Sequence, residues 1–557
     1  MLCLLHIVAI PAYAQSNAER AAEQLRRQEQ RERAVSDQLN NARPDVRLPR
    51  ATAVVPAPAD QSDTPCFPIS RLKLVGDSAA RFAWALRSAD GLLSACIGSH
   101  GVNAIIGALQ NTLISAGYVT TRVVAAPQDL RNGELTLTVV PGRIRAIRFV
   151  VPKDGSRQWL GPTYSSSLPT SPGNILNLRD IEQALENFKR VPTAEADIQI
   201  APGDQPGQSD LMIQWHESLP LRLSLSMDDS GSKATGKYQG NATLFIDNPF
   251  GINDLFYVNV SHDLQAHGNG RGTHNLAVSY SLPIGYWELA ATASKYRYYQ
   301  SVAGANQSYV YGGTSSNADL KLTRVVYRDT SRKISASIDG YQRINRNFID
   351  DTEVEVQHRR MGGFVYTLAD KEFIGDATLE GTLSYKQGTG AFGSMAAPEE
   401  LFGEGTARPR IVNADIELSL PFTVESSHFQ YQGSWRAQWN RTPLILQDQF
   451  SIGGRYTVRG FDGESGLLAE RGQLLRNDIG WNIGNTGQQP YAGIDYAYVN
   501  GPGAAQLIGT HLAGAVIGLR GQYQRLQYDF FVGIPLSRPA GFETAAVTGG
   551  FSLSYGL

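Results

Sequence analysis

The stretch FSIGGRYTVRGFDGE, Phe450 to Glu464, decides how this chain is read. It lies between two runs of alternating apolar and polar residues and is dense in glycine, with Gly453, Gly454, Gly460 and Gly463. Glycines let a backbone turn tightly and lie close against another surface, which suits a loop folded inward. Arg459 stands between Val458 and the pair Gly460-Phe461. A four-residue string such as VRGF fits an exposed hairpin loop with a solvated arginine equally well, so its surroundings must separate the two readings.

Those surroundings are strands. Leu221, Leu223 and Leu225 alternate with Arg222, Ser224 and Ser226; Val412, Ala414, Ile416, Leu418 and Leu420 alternate with Asn413, Asp415, Glu417 and Ser419. One apolar and one polar face, repeated run after run, is made equally by a soluble sandwich and by a barrel whose apolar face meets lipid. Three features favour the barrel. The alternation continues to Leu557 without a helical interlude. Aromatic residues (Tyr286, Trp287, Tyr296, Tyr298, Trp435, Trp439, Tyr496, Tyr498) suit interfacial girdles. The N-terminus reads as an export signal. Connection lengths fit too, with tight turns such as Pro283-Ile284-Gly285 set against long polar segments such as Lys386 to Arg410. About sixteen strands fit the region, and single-chain bacterial barrels favour even numbers. The final run, VTGGFSLSYGL, is a plausible closing strand, although it ends on Leu557 rather than the usual aromatic residue.

At 557 residues the chain is expected to hold several units. Its formal net charge of −2 gives no reason to expect a nucleic-acid partner. The N-terminus, MLCLLHIVAIPAYAQS, has a short apolar core and a small-x-small site at Ala12-Tyr13-Ala14, so residues 1–14 are expected to be an export signal that takes Cys3 with it. It lacks the usual positive n-region, which makes an upstream start an expectation. Residues 15–42 are rich in helix formers and mixed charge and poor in large apolar residues. They fit either a solvated lead-in or a helix seated in a polar cavity. Residues 43–65 form a proline-rich linker in which extended backbone is favoured.

Two mixed units come next, 66–142 and 143–217. In the first, the strand PISRLKLVG precedes helices around Ala80 to Leu93 and Val102 to Ala116, and YVTTRVVAAP and GELTLTVVPG give two more strands. In the second, the strand RIRAIRFVV, the helix LRDIEQALENFKR and the strands ADIQIAPG and DLMIQW repeat that order, which argues for tandem α+β modules. Cys66 and Cys96 are the cysteines left after signal removal. In an exported protein a disulfide is the simplest expectation, with two buried thiols as the alternative.

Alternation in YAGIDYAYV sets Ile494, Tyr496 and Tyr498 on one face and Asp495 on the other. A carboxylate turned into a lumen needs water or a partner, and Arg459 is a candidate. Spacing alone leaves pairing and separate hydration both open. No cluster of histidine, cysteine or carboxylate has metal or triad spacing, so no cofactor, no metal and no enzyme chemistry is expected. The nearest approach to a phosphate loop, GSKATGKY at Gly231 to Tyr238, has Tyr238 where Ser or Thr is required and reads as a turn.

The order of tandem modules, alternating C-terminal half, VRGF loop and downstream GxD strand resembles the two-partner secretion transporters of haemolysin-activator type. CFPISRLKLVGD, GYVTTRVVAAPQDL, GELTLTVVPGRI and GGRYTVRGFDGE followed by RGQLLRND carry the likeness, which spans the mature chain. The resemblance implies two periplasmic POTRA modules at 66–142 and 143–217, and a sixteen-strand transmembrane barrel over 218–557 in the Gram-negative outer membrane. Residues 15–42 become a plug helix. Val458, Arg459, Gly460 and Phe461 become the motif of a sixth extracellular loop folded into the lumen, supported by Gly453, Gly454, Gly463 and Glu464 and held by Asp495 of the barrel wall. Its implied partners are a secreted client with an N-terminal secretion domain, outer-membrane lipid and the barrel assembly machinery. An assembly factor inserting other barrels is the alternative from the same superfamily.

Overall fold

The computed structural model describes residues 19, 21–33, 45–48, 64–93, 96–150, 164–265, 271–303 and 306–557. The expected signal segment, most of the proline-rich linker and the tail of the expected plug segment lie outside them.

Sixteen long antiparallel strands, from Leu221–Asp228 to Thr548–Gly556, close on themselves. The last pairs with the first, Ser552 opposite Asp228 and Gly556 opposite Ser224. Leu557 takes part without an aromatic ring, its N–H donating to the Leu223 carbonyl at 2.8 Å. Alternation sorts the side chains as the pleat requires. Ile494 and Ile517 point outward, 58% and 67% exposed, in company with Leu320, Leu383 and Ile479. Apolar residues bared in rows on a closed cylinder belong in lipid rather than water. Inside, Arg222 reaches Asp247 at 2.9 Å and Arg436 reaches Asp415 at 2.7 Å.

Several expectations change. Tyr296 and Tyr298 face the lumen, buried and stacked on each other with ring centroids 6.1 Å apart, so they are not girdle residues. Tyr286 donates its hydroxyl to Asp180 of the second module at 2.6 Å. Trp287, Trp439 and Tyr496 are exposed on the outside, in keeping with an interfacial position. The strand through Lys386 runs on to Thr389, and the strand before Gly285 runs on to Ile284, so both connections are shorter than the composition suggested.

The two modules share one topology. In each, a central strand (Glu134–Val140; Gln208–Glu217) pairs parallel with the first strand and antiparallel with a third. The second module's helix, Leu178–Lys189, starts where the Asn177 side chain accepts from the Arg179 N–H at 2.8 Å. Its Leu178, Ile181, Leu185 and Phe188 recur at helical spacing and pack with Leu211, Ile213 and Trp215. In the first module the helix expected around Ala80 to Leu93 is a short α turn, Ala79–Phe82, continued as a 3₁₀ helix, Ala83–Leu92. Of YVTTRVVAAP only Arg122–Val124 is a strand.

The second module is mounted firmly on the barrel rim at the end of the short turns. Arg190 donates to the carbonyls of Asn253 and Ser281 at 3.1 and 3.0 Å, and Asn187 to that of Gly285 at 2.7 Å.

Cys66 and Cys96 form a disulfide that closes a separation of 30 residues. Loop-closure entropy assigns it roughly 3–4 kcal/mol of the first module's stability. Replacing both cysteines by serine should speed amide hydrogen exchange across residues 66–140 while leaving the barrel strands unchanged. Equal exchange in both forms would show that the bridge is not a stabilising element.

Candidate functional site

Residues 441–470, between the strands Ser427–Asn440 and Arg471–Asn482, form the sixth connection on the side of the barrel away from the modules. They turn back into the lumen. A short hairpin, Phe450–Ile452 with Leu467–Ala469, forms the stem. The Thr457 hydroxyl closes the turn by accepting from the N–H groups of Gly453 and Gly454 at 3.0 and 3.1 Å.

At the tip the structure brings together the two residues whose spacing left the matter open. The Arg459 Nε and Nη2 donate to Asp495 Oδ2 and Oδ1 at 2.8 and 2.7 Å, and the Arg459 backbone N–H donates to the same Oδ2 at 2.8 Å. A third residue, which sequence reasoning missed, completes the set. Asp478 accepts from Arg459 Nη1 and Nη2 at 3.1 and 2.5 Å. Asp495 is 0% exposed and Arg459 4%, so the guanidinium lies between two carboxylates away from solvent. Its planar fork fits both at once, whereas a lysine ammonium would fit neither bidentately. Arg476 lies 3.8 Å from Asp495 and Arg520 lies 3.6 Å from Asp478, which keeps the cluster near electrical balance. Removing one member of such a buried set typically costs about 3–5 kcal/mol, because the others are left charged and unpaired.

The wall beside the tip is shaped by missing side chains. Gly493, Gly514 and Gly533 lie on three consecutive strands of the wall. A Cβ on Gly493 would sit 2.2 Å from Asp478 Oδ1; one on Gly514, 1.9 Å from the Arg459 carbonyl; one on Gly533, 2.8 Å from the Gly460 N. Gly460 itself has φ +104°, and a Cβ there would strike the Ile534 carbonyl. The GxD pattern is therefore two requirements in one, a carboxylate to hold the arginine and a gap to admit it. Val458 and Phe461, both buried, pack with Ile452, Leu474, Ala497 and Leu512, and Phe461 meets Phe542 edge to face at 5.7 Å.

The remaining motif residues join the tip to other loops. Glu464 accepts from the Lys233 N–H at 3.1 Å, and the Gly463 carbonyl accepts from Arg27. Arg455, in the same stretch but passed over in the sequence, donates to Asp229 Oδ1 at 2.5 Å and to the Phe551 carbonyl at 3.2 Å. Its signal was its position: a second arginine, four residues before Arg459. Asp478 had a fainter one, a polar-face carboxylate on the strand next to Asp495.

Residues 21–33 are a helix lying in the lumen. It is not polar all round. Ala21 and Leu25, four residues apart, rest on Tyr296, Tyr298 and Tyr311. The other faces hold the wall and loops through hydrogen bonds: Gln24 with Ser232 and Thr235, Arg26 with the Leu446 carbonyl at 2.6 Å, and Glu29 with Arg343 at 2.7 Å. The GSKATGKY segment is thus a turn with a task, since its Ser232 and Thr235 grip the helix. Among the described residues no group of histidine, cysteine, aspartate and glutamate could hold a metal ion.

Gly514→Val should force the tip off the wall. A cysteine pair joining the tip to the strand Gln488–Asn500 should then lose most of its crosslinking yield, while heat-modifiable migration of the barrel persists. Undiminished crosslinking would contradict the close approach at Gly514.

Comparison with known proteins agrees with this geometry. The family model described as haemolysin secretion/activation protein ShlB/FhaC/HecB matches residues 207–521. A ShlB-type POTRA domain matches residues 67–142, and a further POTRA domain matches 143–202. The outer membrane transporter CdiB-2 of Burkholderia pseudomallei (strain 1026b) is 37% identical over 562 residues, 98% of this chain and 94% of its own. The hemolysin transporter protein ShlB of Serratia marcescens is 26% identical over 489 residues, 87% of this chain and 84% of its own. The solved structure of CdiB from Acinetobacter baumannii matches with a TM-score of 0.83 at 29% identity, covering 96% of this chain and 99% of that one. The chain belongs to the haemolysin secretion/activation family: it is an outer-membrane transporter of two-partner secretion, a barrel in the membrane with POTRA domains in the periplasm.

Proposed function

We propose that this transporter exports an unfolded client of haemolysin, adhesin or contact-dependent toxin type, and that in doing so it moves its lumen helix while keeping its lumen loop in place. The observation that carries this reading is the difference between the two anchors. The loop is held by a desolvated arginine between two aspartates and by an apolar cluster around Val458 and Phe461. The helix is held largely by polar contacts that water can replace once the lumen floods, plus the small apolar contact of Ala21 and Leu25. An element that must leave is better held by the second kind of bond, and an element that must stay by the first.

In this scheme the client arrives extended in the periplasm, the edge strands of the modules pair with its N-terminal secretion domain, and the helix vacates the lumen. Folding of the client outside supplies the drive, without nucleotide, cofactor or covalent chemistry. Lipid around the apolar belt and the barrel assembly machinery during insertion complete its partners. The names of the relatives, CdiB and hemolysin transporters, support the choice of client class.

Deleting residues 16–42 should raise single-channel conductance severalfold and leave the loop crosslink to the wall intact. Deleting 66–217 should abolish client export while the barrel still conducts; export by that deletion variant would contradict the role given to the modules.

Arg459→Ala, or Asp478→Asn together with Asp495→Asn, should lower client export by at least tenfold, a fold-change that about 1.4 kcal/mol produces and the buried set exceeds. Exchanging charges in Arg459→Asp with Asp495→Arg should recover little, because Asp478 would then face a new aspartate. Adding Asp478→Asn to that exchange should restore part of the loss. Full recovery by the two-residue exchange would contradict the three-residue set.

A further inference from the structure

One fragment of the linker, Asp45 to Leu48, is held between the second module and the barrel rim in a way that its sequence does not require. The Val46 N–H donates to Glu186 Oε1 at 3.1 Å and the Leu48 N–H to Glu182 Oε1 at 2.9 Å. The Val46 carbonyl accepts from Arg328 Nη2 at 2.6 Å. Arg328 in turn donates to Glu186 at 2.8 Å and to Glu182 at 3.2 Å, so the three side chains of the clamp also hold one another. Side chains alternate. Val46 and Leu48 pack on the apolar cluster of the second module, while Asp45 meets Lys333 at 3.2 Å and Lys371 at 2.5 Å, and Arg47 lies 3.9 Å over the Phe373 ring. That alternation is the contact pattern of an extended chain.

The spacing matches as well. Glu182 and Glu186 are one helical turn apart, a rise of about 6 Å, and alternate amides of an extended chain recur about every 6.6 Å. Three of these contacts go to backbone groups, which every polypeptide carries. The position matters equally: Asp45, Gln183 and Glu186 line the same cavity of about 1550 Å³ that continues into the lumen past Asn241, Asn259 and Ser279.

We propose that the groove formed by Glu182, Glu186, Arg328 and Phe373 is an entry port that grips the extended backbone of the client, and that Asp45 to Leu48 occupies it at rest as a built-in substitute. The inference rests on the export reading above. A client chain entering the port displaces the fragment, and the lumen helix, tethered through the same linker, loses its hold on the rim. Binding of cargo and release of the plug are then one exchange. The tethered fragment has the advantage of high local concentration, so the port excludes stray peptides until the modules deliver a client at comparable effective concentration.

The test uses the full chain in detergent with Asp45→Gly, Val46→Pro, Arg47→Gly and Leu48→Pro, which removes the fragment's two donated N–H groups along with its side chains and leaves the walls of the port unchanged. Fluorescence anisotropy reports affinity, and in a separate sample a photoreactive benzoylphenylalanine in place of Phe373, which keeps an aromatic ring on that wall, reports occupancy. Three octapeptide probes are added: the sequence of residues 43–50, the same sequence N-methylated at the Val46 and Leu48 amides, and an unrelated peptide of alternating Val and Ser. The first and third should bind and crosslink. The N-methylated probe should bind at least about tenfold more weakly, as should the first probe when Glu186→Ala is added. The unaltered chain should bind all three weakly, its port being filled. Equal binding of the N-methylated probe would overturn backbone recognition. Failure of the Val-Ser probe while the 43–50 sequence binds would overturn the client port and leave a dedicated latch. Failure of the unaltered chain to display a client at the cell surface would instead overturn the export reading.

Discussion

A guanidinium buried between two carboxylates organises this molecule. Arg459 reaches Asp478 on one strand and Asp495 on the next, and its own backbone N–H adds a third bond to Asp495. Each of these charges would be costly in a confined lumen without the others. Together they fix a loop inside a barrel, where a loop otherwise gains little from leaving bulk water. The glycines of the wall follow from that constraint: Gly493, Gly514 and Gly533 are the places where any Cβ would enter space already held by Arg459, Gly460 or Asp478.

From the loop the influence spreads by contact. Gly463 receives Arg27 of the lumen helix, Glu464 receives Lys233 of the first extracellular connection, and the Asp462 carboxylate receives Thr544 and Ala545 of the last. The loop is therefore a hub to which the extracellular side and the plug are tied, each by bonds weaker than the hub's own. At the opposite mouth the second module is fixed to the rim by Arg190 and Asn187, and residues 45–48 lie between them. On the proposed scheme, strong bonds hold what stays and exchangeable polar bonds hold what moves.

Much of the fold was legible in the chain because period-two alternation is a direct consequence of the pleat. Ile494 and Tyr496 outward with Asp495 inward could be read without coordinates. What alternation cannot give is which inward residues meet across the lumen. Asp478 was therefore only faintly legible as a partner, lying opposite Gly493 on the strand next to that of Asp495, and Arg455 was overshadowed by the stronger motif beside it. The tyrosines failed for a related reason. An aromatic ring suits an interfacial girdle and a lumen contact alike, and Tyr296 and Tyr298 share the inward parity of Thr292 and Ser294 on their strand, where they meet Ala21 and Leu25. The plug's charge was plain from composition; its narrow apolar stripe was not, since two small patches among many polar residues raise no periodic signal.

The central claim is that the loop remains seated while the helix departs. Spin labels on the lumen loop at Ser465, just beyond its stem, and on the wall at Tyr498, compared with labels on the helix at Gln30 and the same wall position, allow both distances to be followed in lipid by pulsed electron resonance. With a client chain stalled in the barrel, the loop-to-wall distance should keep its resting value and width, while the helix-to-wall distance lengthens and broadens. A loop distance that shifts together with the helix, or a helix that stays in place while the client fills the barrel, would contradict the account.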